Sequence, residues 1–168
     1  MENKAVFVTV GTTLFESLTK QIDKDETLIR LSQLGYKNLT IQIGKGSYKP
    51  RTGERAGDVE VSCFDYVPDI SNLIRQSDLV ISHAGAGTVM EVLHAEKPLI
   101  VVVNDVLMNN HQAELAKALD QRNYAISTGP NDLIDALDYE RLMGLEKYPS
   151  PANRNLFLDC LNEEMLSC

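Results

Sequence analysis

The sequence predicts an α/β fold, a Rossmann-like parallel sheet with helices on both faces, held in one domain. Short β-branched runs such as Val6-Phe7-Val8-Thr9-Val10 are continuously apolar, as expected of parallel strands covered on both sides. Strand-like and helix-like segments alternate along the chain, and strands run into glycines at Gly11, Gly44 and Gly85. With 168 residues, 43% of them hydrophobic and 24% charged, the chain suits one globular domain with a single sizeable core. We assign that domain to residues 1–150 and a terminal helix of the same domain to 151–168.

The first strand is expected over 5–10. Leu14, Leu18, Ile22, Leu28, Leu31 and Leu34 then recur every three or four residues, interrupted by Asp23-Lys24-Asp25-Glu26, which predicts a helix or two helical pieces stopped by Gly35. A second strand falls over 39–43. Residues 44–58 carry four glycines and four basic residues and read as a long exposed loop. A strand over 59–64, a short helix over 69–76 and a strand over 79–81 running into Gly85 follow. The remaining elements are a helix over 89–95, a strand over 98–103, a helix over 111–121 with apolar Ala113, Leu115, Ala116, Ala118 and Leu119, and a strand over 124–127. In such a sheet, binding loops gather beyond the carboxyl ends of the strands.

Sixteen basic and twenty-four acidic residues give a formal charge of −8, which disfavours nucleic acid and charge-driven contact with an anionic membrane. Cys63, Cys160 and Cys168 are widely spaced, with no Cys-x-x-Cys pair and no zinc-ligand spacing, so a reducing, cytosolic compartment is expected. The longest apolar run, 98–103, is too short to span a bilayer, and we expect no direct membrane span.

The most informative segment is Ser82-His83-Ala84-Gly85-Ala86-Gly87-Thr88-Val89-Met90-Glu91, lying between an apolar strand and a helix. Small residues let a phosphate approach the backbone. Free N–H groups and the dipole at the helix start favour a diphosphate without a basic side chain or a metal. The alternative is a plain strand-to-helix turn. Thr88-Val89-Met90-Glu91 also fits a capping box, in which Glu91 would close its own helix end rather than meet ribose hydroxyls. Gly11-Thr12-Thr13 is a second turn on the same sheet edge, read either as a phosphate contact or as a helix N-cap by Thr12 or Thr13. Asn109-Asn110-His111-Gln112 clusters groups that match sugar hydroxyls, with capping as its alternative.

Other chemistries fit poorly. The glycine spacing ends in Met90 where a dinucleotide fingerprint needs glycine, and Leu39 stands where a phosphate loop before Gly44-Lys45 needs its first glycine. Asp23-Lys24-Asp25 looks like a metal-binding Asp-x-Asp but follows no strand, so we read it as a solvated patch or a cap before Leu28. No metal site is expected. The loop cations Lys45, Lys49, Arg51 and Arg55 read as solvated, with a lipid headgroup or a pyrophosphate as the alternative partner.

Val8-Thr9-Val10-Gly11-Thr12-Thr13, the 78–88 segment and Leu107-Met108-Asn109-Asn110-His111-Gln112 together resemble one family. It is the cytosolic subunit of the two-part UDP-N-acetylglucosamine transferase that places the second sugar on dolichol-linked N-acetylglucosamine. The resemblance runs from Val6 to about Tyr124 and implies the donor-binding C-terminal half of a GT-B glycosyltransferase, as in the bacterial peptidoglycan N-acetylglucosaminyltransferase. It implies that Gly85, Ala86, Gly87 and Thr88 hold the diphosphate and Glu91 the ribose. Asn109, Asn110, His111 and Gln112 would hold the sugar, Gly11, Thr12 and Thr13 would border the site, and backbone groups of Asp65-Tyr66-Val67-Pro68 would meet the uracil.

The implied enzyme is a hexosyltransferase, inverting and without a cofactor beyond its UDP-N-acetylglucosamine donor. It would act only with a membrane-anchored subunit that recruits it to the cytosolic face of the endoplasmic reticulum and supplies the dolichol-linked acceptor side. His83 and His111 are candidates for the general base, which the partner could equally supply. Leu156, Phe157, Cys160, Leu161 and Met165 stand at helical spacing and would either dock on that partner or pack on their own domain. The rival reading is a nucleotide-binding adaptor of the same fold without turnover.

Overall fold

Strands covered on both faces must be apolar on both, and β5 (Leu79–His83) and β6 (Leu99–Val102) are buried at every residue. In the computed structural model, which describes residues 3–104 and 110–149, they join β1 (Lys4–Thr9), β2 (Tyr36–Gln42), β3 (Gly53–Arg55), β4 (Val59–Phe64) and β7 (Ile126–Thr128). The sheet runs β3-β4-β2-β1-β5-β6-β7. Every neighbouring pair is parallel except β3 with β4.

Side chains alternate across β1, so each face gathers its own core. Val6 and Val8 join Leu18 and Ile22 of α1 (Glu16–Ile22), Leu28 and Leu31 of α2 (Asp25–Gln33), and Leu133 and Leu142 of α6 (Leu133–Ala136) and α7 (Tyr139–Met143). Phe7 points the other way. It packs with Ile74 of α3 (Ser71–Gln76), Val89 and Val92 of α4 (Ala86–His94), and Ala116 and Leu119 of α5 (Asn110–Gln121). The Rossmann-like α/β expectation therefore holds.

Four expectations are corrected. Residues 44–58 are not loop throughout: Gly53–Arg55 adds an antiparallel edge strand, joined to β4 by a 3-10 turn at Ala56–Asp58. Asp23 is not solvated. It is 3% exposed and accepts bonds from the Tyr48 hydroxyl, the Arg51 amide and Arg55, which separates α1 from α2. Helix α4 begins at Ala86, three residues before the expected 89, and its N-cap is Gly85, so Thr88 lies inside the first turn and the capping box does not form. Finally Arg55 is not solvated: its side chain is 9% exposed and donates to Asp23 and Asp25.

Among the described residues no helix is long and apolar enough to cross a membrane. The expected terminal helix over 151–168 lies outside the described residues.

Candidate functional site

The chain leaves β1 for β2 on one side and later returns as β5 on the other, so the strand order reverses between β1 and β5. Open α/β sheets form their binding crevice at such a point, beyond the carboxyl ends. Here those ends carry a row of buried polar residues: Gln42, Thr9 and Ser82 are register partners on adjacent strands, each at most 1% exposed. A cleft of about 420 Å³ opens above them. Gly11 and Thr12 form one wall, Tyr66, Val67, Pro68 and Ile70 another, and Gly85, Ala86, Gly87, Thr88 and Glu91 a third, with Gln42 and His83 also reaching it.

The head of α4 is uncapped by any side chain, and its first intrahelical bond runs from the Val89 N–H to the Gly85 carbonyl, at 3.0 Å. The N–H groups of Ala86, Gly87 and Thr88 therefore have no intrahelical acceptor, and they sit at the positive end of the helix dipole. A helix start of this kind attracts anions. Glu91 lies one turn further on the same helix and lines the cleft, whereas its neighbour Met90 packs on the core.

Three glycines of the cleft have different reasons to be glycine. A Cβ on Gly11 would stand 2.8 Å from His83 Cε1, and one on Gly85 would run into the same ring at Nε2. The imidazole is thus sandwiched between the two turns. Among the described residues, a Cβ on Gly87 would meet nothing within 4 Å beyond its own helix turn, so no described neighbour accounts for its smallness.

His83 is 8% exposed. Burial pushes its imidazole below the ordinary value of 6.5, and a hydrogen bond with the Thr9 backbone offsets part of that. A neutral ring is the result at neutral pH.

The Gly11 turn is closed by Thr13, whose N–H and hydroxyl both donate to the Val10 carbonyl at 3.1 and 2.7 Å. Thr12 is exposed on the cleft, and Thr13 shapes the turn without lining it. Neither caps α1, whose N-cap is Phe15. Past β4, the Val67 N–H donates to Gln42 Oε1 at 3.2 Å and Pro68 has no N–H, so Val67 keeps only its carbonyl for a ligand. Among the expected sugar contacts, Asn109 and the Asn110 side chain lie outside the described residues, and Asn110 begins α5. His111, exposed, and Gln112, half-buried, stand at the head of α5 and do not line the cleft. Thr9 and Gln42 were absent from the sequence reading of the site.

A model of the glycosyltransferase family 28 C-terminal domain matches residues 5–162. The chain belongs to that family. Two curated relatives are named UDP-N-acetylglucosamine transferase subunit ALG13. The Saccharomyces cerevisiae protein is 33% identical over 186 residues, covering 91% of this chain and 92% of the relative. The human protein is 43% identical over 121 residues, covering 72% of this chain. The chain spans only 11% of the human relative's length.

An NMR structure of ALG13 aligns with a TM-score of 0.71 at 30% identity, covering 96% of this chain and 98% of that one. Acinetobacter baumannii MurG aligns at 0.65 and 17% identity, with 96% of this chain on 50% of MurG. That likeness shows the fold alone.

Proposed function

We propose that this chain is the donor-binding subunit of a hexosyltransferase. With a membrane-anchored subunit at the cytosolic face of the endoplasmic reticulum, it would move N-acetylglucosamine from UDP-N-acetylglucosamine to dolichol-pyrophosphate-linked N-acetylglucosamine. The names carried by its relatives support the donor and the subunit character. The observation that carries the site is the uncapped head of α4, opening on the cleft at the switch between β1 and β5.

In this reading the diphosphate lies on the N–H groups of Ala86, Gly87 and Thr88, with Gly11 and Thr12 opposite. Glu91 accepts bonds from the ribose hydroxyls, and the uracil lies against Tyr66-Val67-Pro68, where the Val67 carbonyl can accept its N3–H. In the same reading the sugar would extend beyond the described walls of the cleft towards His111 and Gln112 at the head of α5, with Asn109 and Asn110 as its further expected contacts.

The acceptor hydroxyl attacks the anomeric carbon from the face opposite UDP, and the bond to the β-phosphate oxygen breaks with inversion. Negative charge then grows on the leaving diphosphate, where fixed amides and the helix dipole stabilise the transition state more than the ground state. The reading requires no metal and no cofactor.

In this reading His83, under the two glycine turns, floors the phosphate site. The general base is better sought at exposed His111 or on the partner. Because this chain forms one side of a cleft, it positions only one reactant, and turnover requires the second subunit.

Two measurements test the reading. UDP added to the ¹⁵N-labelled chain should shift the amide resonances of Ala86, Gly87 and Thr88. The co-expressed membrane subunit, with labelled UDP-N-acetylglucosamine and a lipid-pyrophosphate acceptor, should yield a disaccharide lipid. Unshifted amides in both the free and the complexed chain would refute the site, and donor binding without product would favour the adaptor.

A further inference from the structure

Gln42 stands where an aliphatic residue would be expected. It ends β2 between Ile41 and Ile43, is 1% exposed, and lies on a sheet covered by helices on both faces. A buried amide costs stability unless its polar atoms find partners. Both do. Nε2 donates to Thr9 Oγ1 at 2.7 Å, and Oε1 accepts the Val67 N–H at 3.2 Å.

The partners lie on opposite sides. β2 runs between β1 and β4, so Thr9 belongs to the strand on one flank and Val67 to the chain emerging from the other. Thr9 Oγ1 also accepts the Gly11 N–H at 3.0 Å. One continuous chain of bonds therefore leads from Val67 through Gln42 and Thr9 to Gly11. The strand register ends at Thr9, Gln42 and Phe64, and backbone bonds past it carry the pairing on as far as Asp65. Val67 projects beyond that point. The amide's orientation is also fixed, because turning it over would set its NH₂ against the Val67 N–H.

We infer that Gln42 is a positioning residue for nucleotide binding, whose buried amide ties the turn that faces the diphosphate to the loop that faces the base. Both walls of the cleft are then set before the donor arrives, and less ordering remains for binding to supply. The inference rests on the proposed reading of the cleft as a UDP site.

A protonated glutamate has one O–H and one C=O, so at position 42 it can donate to Thr9 and accept from Val67 as the amide does. Ionised, it would accept from both the Thr9 hydroxyl and the Val67 N–H, but it would also bring a negative charge beside the diphosphate. Burial raises the pKa of such a carboxyl, so acidic pH favours the protonated form that mimics the amide. The experiment titrates UDP into the full ¹⁵N-labelled chain as wild type, Gln42→Met and Gln42→Glu, each variant compared with wild type at the same pH.

Gln42→Met is expected to bind UDP about 10-fold more weakly at every pH, the size of an effect that leaves buried partners unsatisfied. Gln42→Glu is expected within about 2-fold of wild type at about pH 5, where the protonated form restores both bonds. The Gly11 and Val67 amides should be displaced in the methionine variant and wild-type-like in the glutamate variant at that pH.

A methionine variant that binds like wild type overturns the inference. So does a glutamate variant as weak as the methionine variant at about pH 5, where it restores both of the amide's bonds. Should the methionine variant fail to fold, Thr9→Val, which removes the next link of the same chain, is expected to weaken UDP binding by a similar factor, and wild-type binding by it overturns the inference. A wild-type chain whose amides ignore UDP, even with its membrane partner, would remove the functional reading and this inference together. A wild-type response with unaltered variants removes the inference only.

Discussion

The segment after β2 and the turn after β5 both carry glycines and polar groups, and both leave the same edge of the sheet. In residues 44–58 the groups of Ser47, Tyr48, Arg51 and Arg55 are satisfied within the chain. The Glu16 carboxylate accepts the Ser47 N–H, the Ser47 hydroxyl and the Tyr48 N–H at 2.8, 2.9 and 3.1 Å. Asp23 takes the Tyr48 hydroxyl and Arg55 Nη1, and Arg55 Nη2 reaches the Asp23 carbonyl and Asp25 at 3.0 and 3.1 Å. At the head of α4, by contrast, the amides of Ala86, Gly87 and Thr88 find no acceptor inside the helix and no capping side chain. Backbone groups need partners, so a segment that has them is built for stability and one that lacks them is poised for a ligand.

The sharpest way to break this contrast is through Asp23. Its side chain is 3% exposed and that of its partner Arg55 is 9% exposed, and removing it strips Tyr48, the Arg51 amide and Arg55 of a shared acceptor, leaving Arg55 the exposed Asp25 as counter-charge. Asp23→Ala should lower unfolding stability by about 2–3 kcal/mol in urea titrations. The folded variant should still show the UDP-induced shifts at α4.

Burial alone would raise the Asp23 pKa, but hydrogen bonds from Tyr48, Arg55 and the Arg51 amide bring it below the ordinary 3.8. A carboxyl depressed on folding adds stability that is present above its unfolded value and lost as pH falls through the folded one. Wild type should therefore lose stability as pH drops below about 3.8, with a slope that Asp23→Asn lacks. An unchanged slope in that variant would show the cluster to be idle.

Two alanine substitutions separate the glycines of the cleft. Gly85→Ala drives a Cβ into the His83 ring, an overpacking expected to cost about 1–3 kcal/mol of stability together with the UDP response. Gly87→Ala meets nothing within 4 Å among the described residues outside its own helix turn and replaces a helical glycine, so stability should hold or rise by up to about 1 kcal/mol. UDP affinity should nonetheless fall, because the added methyl stands where the phosphate approaches. A melting temperature that holds or rises while binding weakens is the signature of a residue kept for a ligand. Equal binding by Gly87→Ala and wild type would move the diphosphate elsewhere.

How much of this was legible in the sequence depended on how local the cause is. The apolar strands, the turn into a Gly-rich helix start and the Gly11 turn are written in neighbouring residues, and each is found in its expected segment, with the helix starting one turn early. The edge strand Gly53–Arg55 has no alternation to betray it, and its pairing with β4 comes from the sheet. Asp23 looked like a surface charge because Tyr48, Arg51 and Arg55 lie some distance along the chain. Thr88-x-x-Glu91 matched a capping box, yet the helix begins early enough to place Thr88 inside it. A signal for Gln42 was nevertheless present. With Leu39, Ile41 and Ile43 filling one face of β2, Gln42 had to lie on the other, and in a sheet covered on both sides an amide there needs buried partners.

The smallest effect expected is also the one that joins the two regions. His83 is depressed by burial below 6.5, so the unfolded chain takes up its proton before the folded chain does. Stability is then full above about 6.5 and declines as pH falls towards the folded value, a slope that should vanish in His83→Gln. A bound diphosphate beside the ring would favour imidazolium and bring the folded value back up, so saturating UDP should flatten this slope. Taking the difference between wild type and His83→Gln at equal UDP cancels the titration of the nucleotide itself. The Asp23 slope, in the region whose partners are all internal, should be indifferent to UDP. Should UDP alter the acid slope of Asp23 and leave that of His83 untouched, the assignment of one segment to stability and the other to the ligand would have to be reversed.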